Sequence, residues 1–369
     1  MAKGLDGEKL PPGITQRANG LYMGRVMYHG ESHALYDRDL TELKKKMGDL
    51  RYSLKQGTFT KKSKITFDEW YREWITTYKQ NTVKQGTIDS YNKHYSAYME
   101  KLIGKMKVVD IRAEHLQKLL NQMSRQGYAD DTITLTYCVL SGVFKQAYKN
   151  ELIEKNPVSL ITRPRGKAKK EKVVFTREQQ KLYMQYTENS YLCNLFQLAL
   201  CTGMRNGELR GLLWSDVDFK NKIIHIRHNL VTSSKEGLKV DTPKTRTSAR
   251  DIPMTGKVYD ILKRQEREYE ENKKEFVFCV GNGPVSPKRI THEIHAMLRN
   301  MEEDGIAFPY FTLHSTRHTF ATRCIEYGMT PQILKTILGH ATLSMTMDLY
   351  SHVLPDTKAE AMEQVAEAF

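Results

Sequence analysis

The chain has 369 residues, which is too long for one ordinary hydrophobic core and suits two or three domains. Its apolar fraction of 40% is normal for a globular protein and argues against wholesale disorder. The net charge of +14, from 57 Lys and Arg against 43 Asp and Glu, favours a polyanionic partner, because each neutralised phosphate releases condensed counterions.

Signals for a membrane or for an oxidising compartment are not evident in the sequence. The start, MAKGLDGEKLPPG, lacks the apolar core of a signal peptide, and no stretch resembles a membrane span. We therefore expect a cytoplasmic protein. The five cysteines are scattered and form no CxxC pair, so we expect reduced thiols rather than a disulfide framework or a zinc site.

The first 60 residues are patterned as a small separate module. Residues 13–17, 21–28 and 33–37 are candidate strands, separated by turns at Asn19-Gly20 and Gly30. Asp39 then precedes a run with helical apolar spacing that ends near Gly57. The pattern predicts three strands followed by one helix, which would be a structural cap or a binding module.

The next segment is patterned as four helices between residues 66 and 157, after a polar, basic linker at 57–64. In the first of these helices, Phe67, Trp70 and Trp74 share one face. We expect an all-helical domain over residues 65–160. Its aromatic stripe is more typical of a core than of a ligand-binding surface.

A second basic stretch, residues 161–172, follows the helical domain. A stretch of this composition cannot bury itself, so we expect an extended connector. It is a solvated linker, a segment that lies along the DNA backbone, or both. The candidate DNA-binding residues in it are Arg163, Arg165, Lys167, Lys169 and Lys170.

Residues 173–369 form the largest predicted domain. Thr176 and Gln179 make a capping box before helices that run through Leu200. Residues 222–228 alternate as a strand, residues 237–253 contain further strand-like segments, and helices follow. The expected fold is a multidomain, mainly α protein whose last domain carries a small antiparallel sheet.

Two basic motifs occur in the first half of this domain. In TGMRNGEL, Gly203 can end one helix in a left-handed conformation and Arg205 stands before the next, with Glu208 placed to orient its guanidinium. Lys244 lies between strand-like segments, which suggests the exposed tip of a hairpin that could donate a proton to a leaving alkoxide. Taken alone, the first motif is typical of a surface ion pair and the second of a solvated turn.

A third motif opens the second half of this domain. Thr312 can cap a helix on which His314 and Arg317 lie three residues apart, near the positive end of the helix dipole. A metal pair of His314 and His318 is disfavoured, because Ser315 takes the glutamate position of an HExxH motif.

The last motif contains a helix end and a tyrosine. Gly339 ends a helix before His340, and Tyr350 follows ten residues later. A phenol attacks phosphorus only if its proton is removed and the phosphoryl charge is stabilised. The four motifs together supply two guanidinium groups, one ammonium, two imidazoles and one phenol, a set that suits metal-free transfer of a phosphodiester to tyrosine.

These motifs resemble those of the tyrosine recombinase, or phage-type integrase, family, and in particular integrases of conjugative transposons and temperate phages. The stretches that carry the resemblance are TGMRNGELRGLLWSDVD, TPKTRTSARDIP, LHSTRHTFATRCIEYG and LGHATLSMTMDLYSHV. The resemblance implies that Arg205 and Arg317 hold the scissile phosphate and that Tyr350 attacks it, giving a 3′-phosphotyrosyl link. It further implies that Lys244 protonates the leaving 5′-oxygen, that His314 and His340 assist at the phosphate, and that Glu208 supports Arg205.

The resemblance also implies partners and no cofactor. Residues 1–60 would bind arm sites in double-stranded DNA, with Gln16, Arg17, Tyr22, Arg25 and Tyr28 as candidate contacts. The domain at 65–160 would bind the core site opposite the catalytic domain, and an excisionase and a host DNA-bending protein would assist. A homotetramer on DNA is expected, in which the tail at residues 359–369 docks on its own core or, as we prefer, on a neighbouring subunit.

Two other functions are compatible with parts of this pattern. A type IB topoisomerase-like enzyme would use the same chemistry without choosing a site, although the amino-terminal module and the helical domain favour a site-specific enzyme. A non-enzymatic DNA-binding regulator on the same scaffold is disfavoured by the intact set of six catalytic candidates.

Overall fold

The computed structural model describes residues 3–55, 64–168, 172–233, 237–241, 249–269, 275–281, 283–347 and 366. The chain divides into two compact units, Met1–Lys169 and Lys170–Phe369. Each unit has its own hydrophobic cores.

The amino-terminal part of the first unit is a three-stranded antiparallel sheet with one helix. The strands β1 (Ile14–Gln16), β2 (Tyr22–Tyr28) and β3 (Glu31–Asp37) pair in sequence order, and α1 (Leu40–Lys55) follows. Asp39 caps α1, since its Oδ1 accepts hydrogen bonds from the backbone N–H groups of Thr41 and Glu42 at 2.6 and 3.0 Å. The predicted order of three strands and one helix is confirmed.

The rest of the first unit is helical. It contains α2 (Phe67–Glu73), which continues as a π-helix (Trp74–Lys79), α3 (Gln85–His94), which continues as a π-helix (Tyr95–Gly104), α4 (Ala113–Arg125) and α5 (Asp130–Lys149). Short 3-10 turns lie at Val108–Asp110 and Pro157–Leu160. The aromatic stripe of α2 is buried in the core, as predicted.

Residues 161–168, part of the predicted extended connector, run along the helical domain and are hydrogen-bonded to it. The Gln117 side chain on α4 exchanges two hydrogen bonds with the backbone of Thr162, at 2.8 and 2.9 Å. Ser124, also on α4, donates to the backbone oxygen of Arg165 at 2.7 Å. The linker backbone therefore finds polar partners that composition alone does not reveal.

Asp130, the first residue of α5, holds the same segment. Its carboxylate accepts hydrogen bonds from the Arg163 guanidinium at 2.7 Å and from the Gly166 backbone N–H at 2.9 Å. A Cβ at position 166 would come within 2.5 Å of the Asp130 backbone nitrogen, so this close approach requires glycine. Arg165 and Lys167 remain exposed, whereas Arg163 is occupied by an ion pair.

The second unit packs helices around a central, almost wholly buried helix. The helices are α6 (Arg177–Thr187), α7 (Cys193–Thr202), α8 (Asn206–Arg210), α9 (Gly256–Tyr269), α10 (Pro287–Glu303), α11 (Leu313–Glu326) and α12 (Pro331–Leu338). Residues 194–200 of α7 are buried and contribute to the largest core. The predicted capping box of Thr176 and Gln179 is present, with hydrogen bonds of 3.0 and 3.1 Å. The expectation of a mainly helical multidomain fold is confirmed.

Small antiparallel sheets complete the second unit. Its strands are β4 (Val217–Asp218), β5 (Ile223–Ile226), β6 (Asn229–Ser233), β7 (Gly237–Asp241), β8 (Arg250–Pro253), β9 (Cys279–Val280) and β10 (Gly283–Pro284). β6 pairs with β7, whereas β8 pairs with β5. The hairpin expected around Lys244 is therefore wrong in its pairing, because the segment after β7 connects two different sheets. Lys244 itself lies outside the described residues.

Candidate active site

Arg205 is positioned by the junction between α7 and α8. Gly203 ends α7 with a left-handed φ of 62°, which turns the chain so that Arg205 directly precedes α8. Glu208 accepts hydrogen bonds from the Arg205 guanidinium at 2.7 Å and from its backbone N–H at 2.8 Å. A carboxylate one helical turn away thus fixes both the side chain and the backbone of Arg205.

The start of α11 brings a second arginine to the same place. Thr312 caps the helix, accepting from the backbone N–H of His314 at 3.2 Å. Arg317, one turn further on, is buried and donates to the backbone oxygens of Gly203 and Leu338, each at 2.7 Å. Burial lowers the pKa of the Arg317 guanidinium to about 9, and the charge of Arg205 acts in the same direction. Because this pKa is still above 7, Arg317 remains a cation at neutral pH.

Three arginines hold the carboxyl-terminal end of α12. Its last backbone oxygens, on Ile337, Leu338 and Gly339, are called here the α12 carbonyls. They accept hydrogen bonds from Arg250 at 2.5 Å, Arg317 at 2.7 Å and Arg205 at 2.7 Å, respectively. Helix ends carry carbonyls without intrahelical partners and a partial negative charge, so cations are favoured there. Gly339 ends the helix with a φ of 65°, and His340 comes next.

Arg250 was not identified from the sequence, although it is central to this network. It forms a two-pronged ion pair with Glu208, with nitrogen–oxygen distances of 2.9 and 2.8 Å, and both side chains are 3% exposed. Burial alone would raise the pKa of the Glu208 carboxyl, but the hydrogen bonds and charges of Arg250 and Arg205 outweigh it and lower the pKa to about 2. One feature of the sequence could have indicated its burial: Arg250 alternates with the apolar Ile252 along β8, and both lie on the buried face of this strand.

His340 lies buried beside these arginines. Its Nδ1 is 2.9 Å from the hydroxyl oxygen of Thr346, a second residue that sequence inspection missed. Burial lowers the pKa of His340 to about 4, and Arg317 and Arg205 reinforce the shift, so the imidazole is neutral near pH 7. Thr346 is fully buried and precedes Tyr350 by four residues.

His314 and His318 face one another on α11. Their rings are 4.5 Å apart between centroids and nearly perpendicular. Removal from water, together with the charges of Arg317, Lys172 and Arg205, lowers the pKa of His314. For His318 burial is again the main cause, and its pKa falls to about 4. Both imidazoles are therefore held neutral at pH 7, mainly because burial disfavours the charged form, and the neighbouring cations add to this effect.

The arrangement is suited to an anion. Arg205 and Arg317 each present five N–H donors, and the backbone and carboxylate bonds described above leave donors on each for a ligand. Arg317 lies near the amino terminus of α11, where the helix dipole also favours negative charge. The structure thus brings together Arg205, Glu208, His314, Arg317 and His340. Lys244 and Tyr350 lie outside the described residues.

The predicted DNA contacts in the amino-terminal sheet divide between its two faces. Tyr22 and Tyr28 are partly buried on the face covered by α1. Gln16 is used within the fold, where its side chain accepts from Leu5 N–H at 2.8 Å and donates to Gly20 O at 3.2 Å. These three side chains have structural surroundings that the sequence did not indicate.

The other face of the sheet, called here the open face, comprises Thr15, Met23, Arg25, Met27, Ser32, Ala34 and Tyr36. Their register places them side by side, with Thr15 opposite Met23, Met23 opposite Tyr36 and Arg25 opposite Ala34. Arg17 stacks over the Tyr36 ring at 4.9 Å from its centroid. Arg17 and Arg25 are thus the two candidates exposed beside this surface.

The basic linker is only partly described. Arg163 pairs with Asp130, Arg165 and Lys167 are exposed, and Lys169 and Lys170 lie outside the described residues, as does the tail at 359–369 apart from Ala366. In the part of the chain that the structure describes, no helix has the length and apolar character needed to cross a bilayer.

Comparison with known protein families gives a consistent result. The sequence model of the phage integrase family matches residues 173–356, and that of the phage integrase N-terminal SAM-like domain matches residues 66–124. A XerC-like tyrosine recombinase of Caldanaerobacter subterraneus is 27% identical, over 90% of this chain and 91% of its own length. The transposase of transposon Tn916 from Enterococcus faecalis is 26% identical, over 97% and 95%.

Solved structures show the same likeness. The Tn1549 transposon integrase, in complex with a circular intermediate DNA, superposes with a TM-score of 0.70 at 25% identity, covering 82% of this chain and 99% of that chain. A lambda integrase tetramer bound to a Holliday junction has a TM-score of 0.59 at 21% identity and shares the fold.

Proposed function

This chain belongs to the phage integrase family of tyrosine recombinases, enzymes that break and rejoin DNA, and we propose that it does so through Tyr350. The phenol oxygen attacks the scissile phosphorus, the bond to the 5′-oxygen breaks, and a 3′-phosphotyrosyl link and a free 5′-hydroxyl result. Reversal on a new strand rejoins the DNA. Because the link conserves the phosphodiester energy, the cycle needs neither ATP nor a metal ion.

The observation that supports this proposal is the pair of arginines at the α12 carbonyls. Arg205 and Arg317 are bonded to backbone oxygens of the same helix end, at 2.7 Å each, so they are fixed before a ligand arrives. Fixed donors stabilise the charge that develops in a transition state without reorganisation at the moment of reaction. We propose that Arg205 and Arg317 bind the non-bridging oxygens of the scissile phosphate. His340 donates a supporting hydrogen bond to the same oxygens.

Two protons must move in the cleavage step. The phenol loses one as it attacks, and His314, neutral because its pKa is lowered, is available to accept it. The leaving 5′-oxygen gains one, and we assign that donation to Lys244. Glu208 keeps Arg205 in place through its two hydrogen bonds.

The remaining parts of the chain supply recognition in this proposal. Residues 65–160 bind the core site and residues 1–60 bind separate arm sites. The likeness to a transposon integrase in complex with a circular intermediate DNA supports DNA as the partner. On the amino-terminal sheet we place the DNA contacts on the open face, with Arg17, Arg25 and Tyr36, rather than on Tyr22 and Tyr28. In the linker, we keep Arg165 and Lys167 as backbone contacts, together with Lys169 and Lys170.

The same proposal includes the assembly. Four copies act on two duplex sites, with the tail at 359–369 docked on a neighbouring subunit, and an excisionase and a host DNA-bending protein set the direction. Deletion of the tail is expected to abolish synaptic assembly while leaving cleavage by the bound monomer. Unchanged assembly after that deletion would contradict the assigned role of the tail.

A nicked suicide substrate carrying the element's own attachment site tests the chemistry. In EDTA, the wild-type protein is expected to form a covalent adduct that resists denaturing gel electrophoresis. The absence of an adduct would contradict the proposal and favour a DNA-binding regulator. Relaxation of a supercoiled plasmid that lacks the attachment site would instead favour a topoisomerase-like enzyme.

A further inference from the structure

Given the proposed function, we infer that Arg250 is a positioning residue of the active site. Its positive charge offsets the negative charge of Glu208, so that the charge of Arg205 remains available to the phosphate. Arg250 lies on β8, which pairs with β5 through the register Ile226 opposite Arg250. It reaches the site from a strand, whereas Arg205 and Arg317 reach it from helix ends.

Arg205 and Arg250 share one carboxylate, that of Glu208. Glu208 Oε1 accepts from Arg205 at 2.7 Å and from Arg250 at 2.9 Å, and Oε2 accepts from Arg250 at 2.8 Å. The three side chains together carry a net charge of +1. Without Arg250, Glu208 would neutralise Arg205, and the phosphate would meet an ion pair with no net charge. Burial of Glu208 and Arg250 makes this difference strong, since solvent screens it weakly.

Arg250 also contacts the helix end that carries His340. Its Nε donates to the oxygen of Ile337 at 2.5 Å, beside the bonds that Arg317 and Arg205 make to the next two α12 carbonyls. A Cβ at Gly339 would lie 3.1 Å from two atoms of the Arg250 side chain, so the guanidinium packs directly against this turn. Arg250 therefore links Glu208, and through it Arg205, to the position of His340.

A purely structural salt bridge is the competing explanation, and the chain offers a matched control. Arg210 is also buried in the same unit, but its Nε donates to the backbone oxygen of Val285. Arg210→Lys reports what replacing a buried arginine costs in stability. A purely structural salt bridge predicts that removing Glu208 as well restores the melting temperature without restoring the cleavage rate of the folded protein. The charge role predicts a partial rescue of the cleavage rate itself.

The experiment measures single-turnover cleavage of the suicide substrate, core-site DNA affinity and thermal melting for wild type, R250Q, R250K, E208Q, the double variant R250Q/E208Q and R210K. We expect R250Q to cleave about 100-fold more slowly than wild type, the scale of losing one fixed charge-stabilising group. The double variant should be about tenfold faster than R250Q, because the carboxylate that neutralises Arg205 has also gone. R250K loses the two-pronged geometry but keeps the charge, so the charge role predicts a rate within about tenfold of wild type.

The cleavage rates of these variants distinguish the charge role of Arg250 from a purely structural role. A double variant no faster than R250Q, or R250K as slow as R250Q, would overturn the charge role. If R250Q does not fold, cleavage by R250K about 100-fold slower than wild type would overturn it, because R250K keeps the charge. Cleavage by R250Q at the rate of R210K would overturn it as well. A wild-type protein that forms no adduct would contradict the proposed function itself, and with it any role of Arg250 in that reaction.

Discussion

The proposed catalytic centre and the open face of the amino-terminal sheet use arginine in opposite ways. In the centre, Arg205, Arg250 and Arg317 are each bonded to a backbone carbonyl of the same helix end. On the sheet, Arg25 is exposed, and Arg17 has an aromatic ring as its neighbour. Chemistry at a phosphate needs charges that are fixed in advance, whereas a surface that follows a groove needs side chains that can adjust.

The two environments also differ in how much stability is lost when one member of an ion pair is removed. Breaking a buried ion pair by removing one member leaves an uncompensated charge and costs about 3–5 kcal/mol. An exposed pair contributes on the order of 0–1 kcal/mol. Substitutions in the centre should therefore change stability and chemistry together, and substitutions on the open face should change binding alone.

The largest effect is expected at Arg317. A lysine there keeps the charge but cannot donate at once to Gly203, to Leu338 and to a phosphate, because it lacks the planar fork. We expect Arg317→Lys to slow single-turnover cleavage by about 100- to 1,000-fold, with core-site affinity close to wild type. A rate within tenfold of wild type would show that fixed geometry at this helix end is not required.

Glu208 tests the buried network through stability. We expect Glu208→Gln to lower the free energy of unfolding by about 3–5 kcal/mol near pH 7, because Arg250 loses its counter-charge. The folded-state pKa of about 2 lies below the ordinary 4.5, so this stabilisation is complete above pH 4.5 and is lost as the pH falls toward 2.

Denaturant titrations of wild type and variant between pH 2 and 7 measure this linkage. The difference in unfolding free energy between the two proteins should be constant above pH 4.5 and should shrink below it. A difference that does not vary with pH would mean that the carboxylate charge is not what stabilises the network.

Arg25 tests the open face. We expect Arg25→Ala to weaken arm-site binding by about 1–3 kcal/mol if the side chain reaches a base edge, while core-site cleavage stays unchanged. Lys45→Ala is the matched control, since Lys45 is exposed on α1, the helix that covers the other face. Equal losses in the two variants would remove the distinction between the faces and favour a general charge effect.

Asp130 gives the smallest expected effect. Its carboxylate holds the linker through Arg163 and Gly166, both at the surface, so Asp130→Asn should change the melting temperature little. Trypsin should nevertheless cut faster after Arg165 and Lys167 in the variant, because the backbone there loses a partner. Glu154→Gln, an exposed acid in the same unit, is the control, and equal trypsin rates in all three proteins would refute the role of Asp130.

The sequence indicated the local features of the active site because they depend on nearby residues. The glycine turns at 203 and 339, the Thr312 cap and the three-residue spacing of Arg205 and Glu208 all follow from rules that act within one helical turn. Each was found in the structure as expected. These features place Arg205, Arg317 and His340, although their joint position requires the fold.

The missed features depend on contacts between distant segments. Arg250 meets Glu208 from 42 positions away, and no local pattern distinguishes it from an exposed arginine except its place on the buried face of β8. The pairing of β8 with β5 was likewise not evident from spacing. On the amino-terminal sheet, alternation showed two faces but not which one α1 covers, and this ambiguity put Tyr22 and Tyr28 among the DNA contacts.

Direct identification of the nucleophile tests the central claim. The covalent adduct formed in EDTA would be digested with protease and nuclease, and the peptide that carries the nucleotide would be located by mass spectrometry. We predict that the nucleotide is attached to Tyr350 through its 3′-phosphate and that Tyr350→Phe forms no adduct. An adduct at another residue, or one that persists in Tyr350→Phe, would contradict the account.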